Sequence, residues 1–166
     1  MPEAGAAPRF EDVIGEHRAM IARIAAAHEA DPAVREDLVQ DILCALWRAL
    51  PGFRGECGLR AFVARVAANR AVTHIQRALR RPPQSELPED LTAPGASPES
   101  SAIARDDADR LMATVRRLPL GLREAALLAL EGLSHGEIAE ALGVTPNAVA
   151  IRMSRAKTEL KTLIGG

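Results

Sequence analysis

The segment from residue 133 to residue 161 carries start and stop signals for two short helices, and these constrain the fold more than any other feature. Ser134 followed three residues later by Glu137 is a capping box, a pattern that satisfies two free N–H groups at a helix N-terminus. Gly143 is the residue type that most readily takes the left-handed conformation that ends a helix. Pro146 suits the first turn of a second helix, where its missing N–H costs nothing. The sequence therefore predicts a helix-turn-helix.

The second of these helices has one apolar face and one polar face. Its apolar residues recur at spacings of four and three, as expected for one side of a helix, and they are Val149, Met153, Ala156, Leu160 and Leu163. Residues predicted to point away from that stripe can reach base edges and phosphates in a DNA major groove. They are Asn147, Ile151, Arg152, Ser154 and Arg155, with Thr145 as the N-cap. The alternative is an ordinary helix pair with a solvated polar face.

Composition favours an all-α fold with cores of Leu, Val, Ile and Ala. Aromatic residues make up only 2% of the 166 residues, and no alternating strand pattern is present. The chain has no apolar run of about 18 residues and no basic-then-apolar N-terminus, which predicts a cytoplasmic protein without membrane insertion. Cys44 and Cys57 are too few for a disulfide scaffold, and no Cys/His spacing is typical of zinc.

Candidate catalytic groups are scattered along the chain. The four histidines are far apart in sequence, no Gly-rich phosphate loop is present, and the carboxylates are expected on solvated helix faces. We therefore expect no catalytic residue, no metal and no cofactor, and a protein that is not an enzyme.

A net charge of −1 conceals a strong segregation of charge along the chain. Between Cys57 and Ser85 there are six arginines and no acidic residue, whereas between Glu86 and Asp109 there are seven acidic residues and one arginine. The C-terminal segment from Thr145 is basic again. This pattern is typical of a chain that meets a polyanion at two places.

Proline and glycine divide the chain into two helical domains joined by a flexible linker. Residues 82–97 are acidic and Pro-rich with almost no apolar content, which is typical of a linker. We therefore expect an N-terminal domain at 1–81 and a C-terminal domain at 98–166.

The N-terminal domain contains an apolar helix with one narrow polar stripe. Asp31 and Pro32 predict the start of this helix, which runs through Leu50 and is expected to be buried on nearly all sides. Its remaining polar residues fall on one line, and they are Asp37, Gln40, Asp41, Cys44 and Arg48. The pattern fits a solvated stripe and a docking strip for a basic partner equally well.

A turn at residues 51–58 leads into a second long helical stretch, from Leu59 to about Arg81. Its early and late apolar residues do not share a face, so the helix either bends near Ala67 or packs on two sides. In the later half a basic spine is predicted opposite the apolar Val72, Ile75 and Leu79. The spine consists of Arg70, His74, Arg77 and Arg81. Guanidinium groups at this spacing can follow a phosphate backbone, although a solvated face is the alternative.

Four motifs in this order resemble those of the extracytoplasmic-function (group IV) sigma factors of bacterial RNA polymerase. The matching stretches are Asp37-Leu38-Val39-Gln40-Asp41 with Trp47, Phe53-Arg54-Gly55-Glu56, Arg65-Val66-Ala67 with Asn69, and Arg152-Met153-Ser154-Arg155-Ala156. The resemblance runs from about Glu11 to Leu163. It implies a region 2-like domain followed by a region 4-like helix-turn-helix domain.

The resemblance implies a role for each matching position. Asp37, Gln40 and Asp41, with Arg48 on the same line, would bind the β′ clamp of core RNA polymerase, and the β subunit would be a further contact. Phe53, Arg54 and Gly55 would belong to the specificity loop that receives a flipped base of the minus-ten element. Asn69 would line that pocket, and the remaining minus-ten contacts would be Arg65, Arg70, His74, Arg77 and Arg81. Arg152 and Arg155 would face the minus-thirty-five element, with Thr145, Asn147, Ile151 and Ser154 beside them.

The implied function is that of a transcription initiation factor that opens promoter DNA by capturing bases. The partners implied are core RNA polymerase, promoter DNA and an anti-sigma factor. Two alternatives remain open at this point. One is an autonomous helix-turn-helix regulator with an N-terminal oligomerisation domain, and the other is a decoy that sequesters an anti-sigma partner.

Overall fold

Three long helices form the N-terminal half of the chain in the computed structural model, which describes residues 6–80 and 99–165. They are α1 (Phe10–His28), α2 (Pro32–Ala49) and α3 (Leu59–Arg80), with a short 3-10 turn at Leu50–Gly52 after α2. Helix α2 begins as predicted, because the Asp31 carboxylate accepts a hydrogen bond from the Ala33 N–H at 2.9 Å.

Four helices form the C-terminal half. They are α4 (Glu99–Arg116), α5 (Leu120–Leu130), α6 (His135–Leu142) and α7 (Pro146–Gly165). The capping box at the start of α6 is complete, since the Glu137 N–H donates to the Ser134 hydroxyl and the Ser134 N–H donates to the Glu137 carboxylate. Gly143 ends α6 with a φ of 66°, in the left-handed region. The predicted helix-turn-helix is therefore confirmed.

The core of the N-terminal half lies where α1, α2 and α3 meet. Helices α1 and α2 contribute large aliphatic side chains, whereas the buried face of α3 is rich in alanine, including Ala64, Ala67 and Ala71. Small side chains allow neighbouring helices to approach closely. Helix α3 is continuous from Leu59 to Arg80, and it packs on two sides, against α1 and α2 and against α6. The two-sided packing expected from its apolar pattern is therefore observed.

Two expectations about apolar surfaces were wrong. Helix α2 buries only Leu38, Ile42 and Leu46, while Trp47 is 61% exposed, so this helix is not surrounded on nearly all sides. Leu79 is 81% exposed, so the apolar face expected opposite the basic spine has no neighbour at its far end. Both residues follow the helical period, but that period predicts only which residues share a face, and neighbouring elements determine whether the face is covered.

The apolar core continues from one half of the chain into the other. Met112, Val115, Leu127 and Leu128 belong to the same buried cluster as the aliphatic side chains of α1 and α2. A smaller cluster around Leu118 joins α5 to α7. The two halves are therefore packed together rather than merely connected by the chain.

The described residues contain no strand, and the predicted all-α class is confirmed. Within 6–80 and 99–165 no helix has the length and apolar character needed to cross a membrane. The linker predicted at 82–97 lies outside the described residues, as does Arg81 of the basic spine.

Candidate functional site

The turn after α2 forms one wall of a pocket that brings several predicted DNA-contacting residues together. The ring of Phe53 packs against the ring of Phe62 on α3, with centroids 4.9 Å apart, and the Arg65 guanidinium lies 5.5 Å from the Phe62 centroid. A pocket of about 240 Å³ opens between them, with Arg54 also in its lining. Aromatic rings beside guanidinium groups suit a base and its phosphate.

Two residues of the predicted minus-ten set occupy different positions around this pocket. Gly55 has a φ of 75° and forms the turn of the loop, since only a residue without a Cβ takes this conformation easily. Asn69 is exposed on α3 but does not line the pocket. It lies one helical turn beyond Arg65, about 6 Å further along the axis, and its role beside a captured base stays a prediction.

The polar stripe of α2 is fully available to a partner. Asp37, Gln40, Asp41 and Arg48 are all exposed, while Leu38, Ile42 and Leu46 anchor the opposite side of the helix. We refer to Asp37, Gln40, Asp41 and Arg48 as the docking stripe. A groove of about 350 Å³ runs beside it, and this groove is lined by Gln40, Arg48, Trp47 and other side chains.

Trp47 gives the docking stripe an apolar border. Its exposed ring meets Phe10 edge to face, with the ring centroids 5.2 Å apart. An exposed aromatic residue next to charged side chains is typical of a protein-binding surface, because it offers large contact area at low entropic cost.

The basic spine of α3 is only partly free. Arg77 is exposed and Arg70 is half-buried. His74 is half-buried as well, and its Nε2 atom lies 2.8 Å from the Glu29 carboxylate at the end of α1. His74 therefore contacts the protein's own fold in this structure, and its role at DNA stays a prediction.

The exposed face of α7 holds most of the residues predicted to read DNA. Asn147, Ser154 and Arg155 are exposed, and Ile151 is 46% exposed. The Thr145 hydroxyl accepts a hydrogen bond from the Ala148 N–H at 3.1 Å, so this side chain caps the helix as predicted.

Arg152 departs from this arrangement. Its guanidinium carbon lies 3.6 Å from the position that a Cβ would take at Gly121, so the side chain rests on the start of α5. Burial raises the pKa of the nearby Glu124 carboxyl, and the positive charges of Arg152 and Arg123 oppose this rise. Because each helical residue turns by 100°, position 152 lies between the exposed face and the buried Val149 and Ala156. The prediction that Arg152 points away from the apolar stripe is therefore wrong.

Comparison with known proteins identifies the family of this chain. A family model described as sigma-70 region 2 matches residues 13–81, and one described as sigma-70, region 4 matches residues 108–160. The RNA polymerase sigma factor NccH of Alcaligenes xylosoxydans xylosoxydans is 30% identical over 164 residues, which cover 93% of this chain and 86% of NccH. The ECF RNA polymerase sigma-E factor of Escherichia coli K12 is 31% identical, over 73% of this chain and 69% of that protein.

The chain belongs to the extracytoplasmic-function RNA polymerase sigma factors. It is also similar in structure to CnrH in a complex with the cytosolic domain of CnrY, with a TM-score of 0.67 and 27% identity over 94% of this chain and 87% of that one. As a sigma factor, the protein acts in transcription initiation with RNA polymerase. Family membership decides against the autonomous helix-turn-helix regulator.

Sequence reasoning missed a charged residue that joins the two halves of this sigma factor. The Glu131 carboxylate, at the end of α5, is only 3% exposed and binds Arg23 of α1 and Arg60 of α3. This burial contradicts the expectation that the carboxylates lie on solvated faces. The available signal was local, because Glu131 immediately follows the apolar run 125–130 and directly precedes Gly132.

Proposed function

We propose that this sigma factor directs core RNA polymerase to promoters through three surfaces: the docking stripe of α2, the pocket at the Phe53 loop and the exposed face of α7. The docking stripe is the observation that carries the proposal. Four polar side chains lie on one exposed line of a helix whose other side is firmly buried, and this geometry supports rigid presentation of two carboxylates to a basic partner. In this proposal that partner is the β′ clamp of core polymerase, with the β subunit as a further contact.

The pocket at the Phe53 loop receives an unpaired base of the minus-ten element in this proposal. Phe53 supplies a half-buried ring on which a base can stack, and Arg54 and Arg65 supply positive charge for the adjoining phosphates. Stacking in the pocket offsets the free energy of unstacking the base from the duplex. Strand opening of this kind needs no covalent chemistry, so the protein acts as a binding factor rather than as an enzyme.

The exposed face of α7 reads the minus-thirty-five element in the major groove. Asn147, Ile151, Ser154 and Arg155 carry amide, apolar, hydroxyl and guanidinium groups that suit different base edges. They lie in the first half of the second helix of the motif, which is the part that enters the groove in other helix-turn-helix proteins. Arg152 contributes by fixing the angle between α5 and α7 rather than by reading a base.

An anti-sigma protein is a further partner in this proposal. The similar sigma factor CnrH was solved with the cytosolic domain of CnrY, which supports capture of this fold by a second protein. Since polymerase is cytoplasmic, we place this sigma factor in the cytoplasm.

Transcription from fragmented genomic DNA of the source bacterium tests the proposed function. Core polymerase with this sigma factor should start transcripts at a limited set of sites that share one sequence block about 10 base pairs upstream and another about 35, as the roles of the two DNA-binding surfaces require. Core polymerase alone is the control. Starts scattered without a shared upstream sequence, or no gain over core polymerase, would contradict the proposal.

A further inference from the structure

Glu131 forms an ion cluster that ties the two halves of the protein together. Its two carboxylate oxygens accept hydrogen bonds from the Arg23 guanidinium at 2.6 and 2.7 Å. Arg60 donates through Nη2 to the same carboxylate at 3.2 Å, and through Nε to the Glu131 backbone carbonyl at 2.8 Å. The two arginine side chains are 48% and 50% exposed, whereas the carboxylate is almost fully buried. We call Arg23, Arg60 and Glu131 the interdomain latch.

A second polar contact and an apolar seam support the latch. The Arg116 guanidinium of α4 donates to the backbone carbonyl of Ala26 at 2.6 Å, near the end of α1. Around these bonds, apolar side chains of the C-terminal half join the core of the N-terminal half. The contact between the halves is therefore a packed interface with specific hydrogen bonds.

The same contact brings α6 onto the pocket at the Phe53 loop. Glu140 of α6 lines that pocket together with Phe53, Arg54 and Arg65. A neighbouring crevice is lined by Glu137 and Glu140 from α6 and by Cys57 and Arg65 from the N-terminal half. A strand of DNA entering the pocket would meet these carboxylates, and like charges at short range repel. In this arrangement α6 and a nucleic acid compete for one surface.

We infer that the interdomain latch holds this sigma factor in a closed, autoinhibited state in which the C-terminal domain masks the pocket at the Phe53 loop. The inference rests on the proposed role of that pocket in base capture. Opening breaks the latch, returns the Glu131 carboxylate to water and uncovers the half-buried Phe53 and Arg65. The docking stripe is exposed in the closed state, so polymerase can bind there first and then favour the open state.

The latch depends on the pairing of a buried charge. A buried carboxylate that loses its guanidinium partners is left without compensation, and this strongly disfavours the state in which it is buried. In the open state the same carboxylate is hydrated and loses little. Removing Arg23 and Arg60 therefore destabilises the closed state relative to the open state.

The native thiol Cys57 provides a direct test, because it is half-buried and lines both crevices between the halves. All proteins carry Cys44→Ser, which leaves Cys57 as the single thiol. The test variant is Arg23→Gln with Arg60→Gln, and the control is Arg18→Gln with Arg117→Gln, two exposed arginines outside the latch. The rate of Cys57 alkylation by iodoacetamide and the radius of gyration from small-angle scattering are measured on the full chain.

The latch predicts that the test variant is alkylated at Cys57 at least about tenfold faster than the control, the change that a shift of only 1.4 kcal/mol in the equilibrium produces. Its radius of gyration should also rise, while circular dichroism shows the same helical content. Unchanged alkylation and unchanged scattering would refute the latch. Neither measurement involves DNA or polymerase, so a failure of the proposed minus-ten role would leave both results intact.

Affinity for core polymerase tests whether the closed state is inhibitory. Polymerase that engages both domains requires the open state. The larger the fraction of closed protein, the weaker the apparent affinity for core polymerase. The test variant, with Cys44 restored, should therefore bind core polymerase with a lower apparent Kd than the control. Faster alkylation with an unchanged Kd would overturn autoinhibition and leave the latch as a structural contact only.

Discussion

The rings of Phe53 and Phe62 pack together at an angle of 58° with centroids 4.9 Å apart. Phe62 is buried in α3, whereas Phe53 is half-buried in the loop and exposes part of its ring to the pocket. This pair anchors the loop after α2 to helix α3. The loop therefore holds its aromatic and basic groups in a defined position, as the proposed base capture requires.

Phe53→Ala should impair promoter opening more than initial promoter binding. Loss of one stacking ring for an unpaired base is expected to cost about 1–3 kcal/mol in formation of the open complex. Permanganate reactivity of thymines near the start site measures the opened strands. Phe53→Tyr keeps the ring and should retain opening, while Ile164→Ala, which removes an apolar side chain that is 71% exposed, should have no effect. Equal opening by Phe53→Ala and the parent protein would remove base stacking from the role of this loop.

Arg155→Ala and Arg152→Ala should have different consequences. Arg155 is exposed, so its loss should weaken recognition of the upstream element by about 1–3 kcal/mol without changing the melting temperature. Arg152 packs against α5 near Glu124, and its loss leaves a half-buried carboxyl with less compensation. Arg152→Ala should therefore lower the melting temperature as well. Footprinting of the holoenzyme and thermal unfolding separate the two effects, with Lys161→Ala on the same helix as the control.

If Arg152→Ala alters base preference at one position and leaves thermal unfolding unchanged, the assignment of Arg152 to packing is wrong. A change in base preference with Arg155→Ala but not with Arg152→Ala supports base recognition by Arg155 and packing by Arg152.

His28 should make the stability of the protein depend on pH. Burial lowers the pKa of His28 to about 4, and the positive charge of Arg123 acts in the same direction. The Nδ1 atom of the neutral ring lies 2.8 Å from the Ile24 carbonyl oxygen and can donate to it. The unfolded chain binds a proton near pH 6.5 and the folded chain does not, so stability is complete above about pH 6.5 and is lost as the pH falls towards 4.

Between pH 8 and pH 5 this group should lower the free energy of unfolding by about 2 kcal/mol. Urea unfolding of the parent protein and of His28→Leu at both pH values measures the contribution, with the exposed His135→Gln as the control. The same pH dependence in His28→Leu and in the parent would contradict a neutral, buried His28.

Local chemistry explains which elements could be predicted from the sequence. The helix-turn-helix was predicted to within a residue, because the Ser134 capping box and Gly143 act on groups within one or two turns. The start of α2 at Pro32 was predicted for the same reason. The Phe53 loop and the docking stripe could be located because motif order and helical spacing place them without any knowledge of distant contacts.

Features that depend on packing between distant segments could not be predicted in this way. The burial of Glu131 depends on two arginines that lie 108 and 71 residues earlier in the chain. His74 contacts Glu29 and Arg152 packs on the start of α5, and no local sequence pattern records either contact. In each case an ionisable side chain was expected in solvent, and a contact with another element holds it against the protein instead.

The docking stripe of α2 is the proposed binding surface for core polymerase, and the proposed function depends on it most. Pull-down of core polymerase by the variant Asp37→Lys with Asp41→Lys tests this most directly, with Asp12→Lys and Glu16→Lys on the exposed side of α1 as a control with the same change in charge. The stripe variant should lose core polymerase while its helical content by circular dichroism stays unchanged, and the control should retain it. Retention of polymerase by the stripe variant would contradict the account.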